Sequence, residues 1–196
     1  MITLFSSGSC PNSHRTRLVL SEKELPVEVI EADPERPPLK LMELNPYGKV
    51  PTIEDRGTVL FEASVISEYL DERYPHPPLK PGSPAERAQL RLSVMRIEQE
   101  IYPLFFALEM ASNRAAPLKS IQEYMKAIDV YLIRQPYFIG DAYTLADVTF
   151  APILWRLVPL GLDTKNMPNL EAYMDRLFER PAFERSLSEH EQMLHQ

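Results

Sequence analysis

Pro75-His76-Pro77-Pro78-Leu79-Lys80-Pro81-Gly82-Ser83-Pro84 splits this chain in two. Half of its ten positions are proline. Proline has no backbone donor and fixes φ, so neither a helix interior nor a sheet ladder survives here. The segment reads as a stiff, largely extended linker. Before it, strand and helix signals alternate; after it, only helix signals occur. The division is an α/β domain over residues 1–74, a Pro-rich linker over 75–83 and an all-helical domain over 84–196.

Working back from the linker, residues 62–73 read as a helix with Val65, Ile66, Tyr69 and Leu70 on one side. Thr52–Glu54 and Thr58–Phe61 flank Asp55-Arg56-Gly57, a tight hairpin signal. Asn45-Pro46-Tyr47-Gly48 is turn chemistry, and residues 39–44 form a short helix after Pro34, Pro37 and Pro38. Val27–Ile30 alternates β-branched and polar residues, a strand signal. Residues 13–24 read as a helix and Ile2–Phe5 as a strand. The predicted order is β-α-β-α-β-β-α.

Working forward, Ser83, Pro84 and Glu86 make a capping box with proline at the first helical position. Leu90, Val94, Ile97, Ile101, Leu104 and Leu108 then recur at three- and four-residue spacing, one apolar stripe along a long helix. Pro103 should kink it. Further helices are predicted over 118–133 and 145–158, after Pro168 and after Pro181. Tyr102, Phe105 and Phe106 serve internal packing and a two-fold dimer face, and Phe150 and Trp155 read as core.

Composition narrows the function. The 196 residues are 44% hydrophobic and 25% charged, which suits a folded chain and excludes disorder or collagen-like repeats. The net charge of −7 argues against tight direct nucleic-acid binding, since neutralising phosphates takes a basic surface. Cys10 is the single cysteine, so no internal disulfide forms and a reducing compartment is expected. No signal peptide and no membrane span are read, which points to the cytoplasm. No His/Cys/Asp/Glu set has metal-ligand spacing, so no metal is expected.

An α/β half joined through a Pro-rich linker to a helical half resembles the glutathione transferase fold, with a thioredoxin-like N-terminal domain. Val50-Pro51 looks like that family's cis-proline, and Gly140-Asp141-Ala142-Tyr143-Thr144-Leu145-Ala146-Asp147 matches its G-x-x-x-T-x-A-D segment. Asp71-Glu72-Arg73-Tyr74-Pro75-His76-Pro77-Pro78-Leu79 is similar to a signature of the stringent starvation protein A family. So are Ser13-His14-Arg15 with Glu22-Lys23, Asn45-Pro46-Tyr47, Leu154-Trp155-Arg156-Leu157 and Arg176-Leu177-Phe178-Glu179-Arg180 with Phe183. The resemblance implies a dimeric bacterial regulator that rides on RNA polymerase holoenzyme, with its sigma factor, under starvation and acid stress. It also implies a non-catalytic protein whose functional surface is the Pro-His-Pro segment; with Tyr74 adjacent and suited to enlarge the patch, the partner-binding residues are Tyr74, Pro75, His76, Pro77 and Pro78.

The same resemblance places a vestigial glutathione site at Cys10, Val50, Pro51, Glu62, Ala63 and Ser64. In glutathione transferases an acid followed by Ser opens helix three and holds the γ-glutamyl carboxylate. Here Ala63 takes that Ser position, and Ser64 lies one helical step, about 100°, around the axis. No cofactor is therefore expected, and glutathione only weakly. The alternative function rests on Cys10-Pro11-Asn12-Ser13, where omega-type glutathione transferases place a nucleophile. The amides at a helix N-terminus stabilise a thiolate, and Arg15 and Arg17 could add to this. That reading is a glutathione-dependent thiol transferase using Cys10. His14 is expected to face solvent or cap the loop; His190 and His195 read as solvated.

Overall fold

A computed structural model describes residues 1–195. The chain forms two compact units, one of Met1–Pro78 together with the chain from Pro181 on, the other of Leu79–Arg180. The first unit opens with β1 (Ile2–Ser6), α1 (Pro11–Glu22), β2 (Val27–Glu31), α2 (Leu39–Leu44), β3 (Thr52–Asp55), β4 (Thr58–Phe61) and α3 (Ala63–Arg73). Their sheet has the order β2-β1-β3-β4. β1 pairs parallel with β2, Leu4 opposite Val29, and antiparallel with β3, Leu4 opposite Ile53. All five residues of β1 are buried, as a central strand covered on both faces requires. Phe5 packs with Ala32 and Leu41. Between β3 and β4, Arg56 and Gly57 both adopt positive φ, the backbone of a two-residue hairpin turn. This is the predicted thioredoxin-like order, with α1 starting two residues early because Pro11 suits the first helical position.

The second unit contains α4 (Pro84–Arg96), α5 (Tyr102–Met110), α6 (Ala115–Tyr131), α7 (Leu145–Leu157) and α8 (Pro168–Phe178). The Ser83–Glu86 capping box is formed. A π-helical turn, Ile97–Ile101, joins α4 to α5 just ahead of Pro103. Proline cannot donate to the preceding turn, so the kink expected at Pro103 takes the form of a widened turn. Of the stripe residues, Leu90, Ile97, Ile101 and Leu108 are buried, while Val94 and Leu104 are half-buried; Phe105 beside them is fully buried. α7 is buried along nearly its whole length, including Phe150, while Trp155 is half-buried and meets Phe178 edge-on at 5.0 Å. Thr144 and Asp147 cap α7 reciprocally. The Asp147 carboxylate also accepts from the Phe138 amide and the Tyr173 hydroxyl, each at 2.8 Å. No helix among the described residues is long and apolar enough to cross a membrane.

Two features differ from the sequence reading. The linker bends instead of running extended, and the His76–Pro77 peptide is cis. The chain from Pro181 on, read as part of a helical domain over 84–196, lies with the first unit. There α9 (Pro181–Ser186) and α10 (Glu189–Met193) pack beside α1. The physical reason is a set of buried partners: α1 offers His14 and Arg17, and the terminal segment offers Ser186 and Glu191 to meet them.

Candidate functional site

The Pro-His-Pro-Pro segment follows directly from the C-terminus of α3. Pro75, His76, Pro77 and Pro78 are all exposed, while Leu79 beyond them is buried. Two contacts fix the segment to the first unit. The Tyr74 hydroxyl donates to Asp55 Oδ2 at 3.1 Å, and Tyr69 donates to the same oxygen at 2.9 Å. Burial, with the Asp55 hydrogen bond adding to it, pushes the Tyr69 phenol above its ordinary value. The second contact is Lys23, at the C-cap of α1. Its ammonium donates to Asp71 Oδ1 at 2.5 Å and to the Pro77 carbonyl. The Lys23 side chain is 0% exposed and that of Asp71 5%. The Arg73 guanidinium lies 5.9 Å from the Tyr74 ring centroid. The result is an exposed imidazole between prolines, on a loop held from beneath by a buried cation. Asp55, Asp71 and the role of Lys23 have no local sequence signal, because a helix-terminal lysine reads simply as favourable to the helix dipole.

The glutathione-type residues also lie in the first unit. Cys10 is half-buried at the N-cap of α1, and its carbonyl accepts from the His14 amide at 3.0 Å. The Val50–Pro51 peptide is cis. Glu62 precedes α3 with a φ of 71° and pairs with Lys49 at 3.1 Å, both side chains more than half exposed. Ala63 is the first helical residue and is buried; Ser64 is half-buried. The nearest helical hydroxyl with a fixed role, Ser67, donates to the Ala63 carbonyl at 2.6 Å. The first turn of α3 thus presents the Ala63 methyl group, with the cis Val50–Pro51 peptide in the same unit.

His14 does not face solvent. It is fully buried, with Nε2 3.0 Å from the Ser186 hydroxyl, Nδ1 3.5 Å from Glu191 Oε1, and its ring 5.2 Å from Phe183. Arg17 grips Glu191 with two contacts of 2.8 and 2.6 Å and donates to the Ser186 carbonyl and Ser6 hydroxyl. Its guanidinium is therefore engaged with the terminal segment, not aimed at Cys10. Arg15 is buried as well. His190 and His195 are exposed. Among the described residues, no three His, Cys, Asp or Glu side chains are grouped to hold a metal ion.

Comparison with known proteins agrees with this architecture. The glutathione S-transferase N-terminal domain model matches residues 9–73, and the C-terminal domain model matches residues 86–181. Glutathione transferase Omega 3C from Trametes versicolor superposes with a TM-score of 0.86 at 26% identity, over 99% of this chain and 88% of that one. The protein is thus of the glutathione transferase fold class, a thioredoxin-like domain followed by an all-helical one.

Closer relatives narrow this. The stringent starvation protein A homolog of Pasteurella multocida is 43% identical, over 95% of this chain and 90% of its own. That of Haemophilus influenzae is 40% identical, over 96% and 91%. The chain belongs to the stringent starvation protein A family.

Proposed function

We propose that this protein is a cytoplasmic, non-catalytic transcription regulator that binds bacterial RNA polymerase holoenzyme through Tyr74, Pro75, His76, Pro77 and Pro78. The observation that carries the reading is the exposed His76 held between prolines on an anchored loop. An immobilised loop loses little entropy on binding, so a small surface can still be specific. Half-buried Tyr74, stacked under Arg73, adds the aromatic and cationic character that interfaces favour. The net charge of −7 suits contact with basic polymerase or sigma surfaces rather than with DNA.

The functional species in this reading is a homodimer. Leu92, Met95, Phe106 and Met110 lie exposed along α4 and α5 at 52%, 43%, 38% and 88%. Four large apolar side chains along one helical run are more than a monomer's scattered exposure and supply an isologous face. The test of the whole reading is retention of RNA polymerase from starved bacterial lysate by wild type and by His76→Ala, both checked for folding. Retention by wild type and its loss in the variant is the expected result. Equal retention by both would move the interface elsewhere on the molecule.

A second reading rests on Cys10. Its place at the N-cap of α1, half-buried, favours a glutathione-dependent thiol transferase resembling the omega class. Incubation with glutathione disulfide would then give a mixed disulfide at Cys10, seen by mass spectrometry, and Cys10→Ser would abolish the transfer. No adduct on the folded protein would remove this reading.

A further inference from the structure

The Pro75–Pro78 segment faces a problem of its own chemistry. Three of its four residues are prolines without a backbone donor, so no ladder or turn of ordinary backbone bonds can set its shape. Something outside the segment must. The structure places a single ammonium there. Lys23 is anchored by its own amide, which donates to the Val19 carbonyl at 3.0 Å at the end of α1. Its side chain runs through the interior of the first unit and is shielded from water along its whole length. The charge is balanced by Asp71 on α3, and another of its protons goes to the Pro77 carbonyl, the residue next to His76.

We propose that Lys23 is a positioning residue for the partner-binding surface: by holding the Pro77 carbonyl it sets how His76 is presented. This rests on the reading of residues 74–78 as that surface. The assignment has a physical logic. A buried ion pair is weak evidence for stability, because desolvation offsets most of its attraction. Retaining a lysine beneath an exposed proline loop makes sense where a conformation has to be specified. A carbonyl held by an ammonium on a buried stem gives the loop one anchored point where it has no hydrogen-bonded backbone of its own. Asp71 fixes the cation, and Tyr74 with Asp55 fixes the loop's entry.

Lys23 also links α1 to α3, and a purely structural role must be separated from a positioning one. Lys23→Met removes both contacts. The paired variant Lys23→Met/Asp71→Leu removes both charges and leaves an apolar contact between the helices, an exchange that is often neutral for stability. A structural role is therefore rescued in the paired variant, and a positioning role is not. Two readouts are taken on full-length protein: the imidazole Hε1–Cε1 NMR signal of His76, assigned with His76→Ala, and retention of RNA polymerase. The expected result is a moved His76 signal and a fall in retention of about tenfold, one charge-assisted hydrogen bond's worth, in both variants. Wild-type retention by the folded paired variant would overturn the proposal. If wild type itself retains no polymerase, the functional reading falls, and the His76 signal alone decides Lys23: moved in the paired variant sustains its role, unmoved refutes it.

Discussion

His14 Nε2 lies 3.0 Å from the hydroxyl of Ser186, a residue 172 positions further along the chain. Around this contact α1 and the terminal segment share a buried polar cluster. Ser186 donates its own proton to the Phe183 carbonyl at 2.7 Å, so in that pair His14 Nε2–H is the donor and Ser186 the acceptor. The Glu191 carboxylate, 0% exposed, faces both His14 and Arg17. This arrangement resembles a hydrolase triad in composition only: it is sealed from solvent, and Ser186 spends its proton on the backbone. Its work is to hold residues from Pro181 on against α1.

The first prediction concerns that cluster. Arg17→Met takes both close cationic contacts from a buried carboxylate. Breaking one side of a buried pair costs about 3–5 kcal/mol, a large part of the ~5–15 kcal/mol that holds a typical domain together. The urea midpoint of Arg17→Met should fall accordingly, and protease should cut first in the segment after Pro181. An unfolding free energy within about 0.5 kcal/mol of wild type, the usual span of a neutral surface change, would refute the latch.

Asp147 gives the strongest expected loss in the helical unit. Burial pushes its carboxyl upward, while hydrogen bonds from the Phe138 and Thr144 amides and from the Tyr173 and Thr144 side chains pull it down. Asp147→Ala strands the Phe138 amide, the Thr144 amide and the Tyr173 hydroxyl together. At about 1–3 kcal/mol per stranded buried donor, the variant should lose at least ~3 kcal/mol. Thermal denaturation followed by circular dichroism measures it.

Ala63→Ser tests the glutathione-site reading. The serine places a hydroxyl at the first position of α3, where in that reading a γ-glutamyl carboxylate would lie. One hydrogen bond to a charged group is worth roughly 1.5–3 kcal/mol, so glutathione affinity should rise about ten- to hundredfold. Isothermal titration of wild type and variant reads this directly. Equal affinity in the two would show that position 63 is not what weakens the site.

The network of Arg96, Glu100 and Tyr124 predicts a pH dependence. Arg96 donates to Glu100 at 3.1 Å and Tyr124 donates to it at 2.9 Å. The Arg96 hydrogen bond and then that of Tyr124 hold the Glu100 carboxyl below its ordinary 4.5. A group lowered on folding stabilises the protein fully above its unfolded value, and that contribution is lost as pH falls through the folded one. With both partners substantially exposed, the effect is small, about 0.3–0.5 kcal/mol. Wild type should therefore melt slightly above Glu100→Gln at pH 6 and lose that margin at pH below 4.5. Burial, with Glu100 adding to it, pushes the Tyr124 phenol up to about 12, so one late tyrosinate absorbance should vanish in Tyr124→Phe. Melting curves whose difference does not change with pH would refute the assignment to Glu100.

Much of this molecule is written in short-range chemistry. The proline run at 75–84 ends one structural pattern and begins another, because proline's constraints act on its own residue and its neighbours. The Ser83–Glu86 box, the Thr144–Asp147 cap and the hairpin at Arg56-Gly57 each join residues three or fewer positions apart, and each is present as its residue types dictate. The α/β order and the apolar stripe through Leu90 and Ile97 follow from periodicity in the same way.

The placement of polar side chains was decided elsewhere. His14 carries no local mark of burial, since Ser186 and Glu191, which meet it there, come from the far end of the chain. Lys23 finds Asp71 and the Pro77 carbonyl across 48 and 54 positions. The terminal segment joined the first unit because α1 presented partners for its buried charge. A hydrogen-bonding group can be recognised in sequence by its type. Whether it is buried, and which distant group satisfies it, depends on packing, and an unsatisfied buried polar group is too costly to keep. So the residues determined the two folds and their punctuation, and tertiary packing selected the partners that hold His76's loop and the chain's end in place.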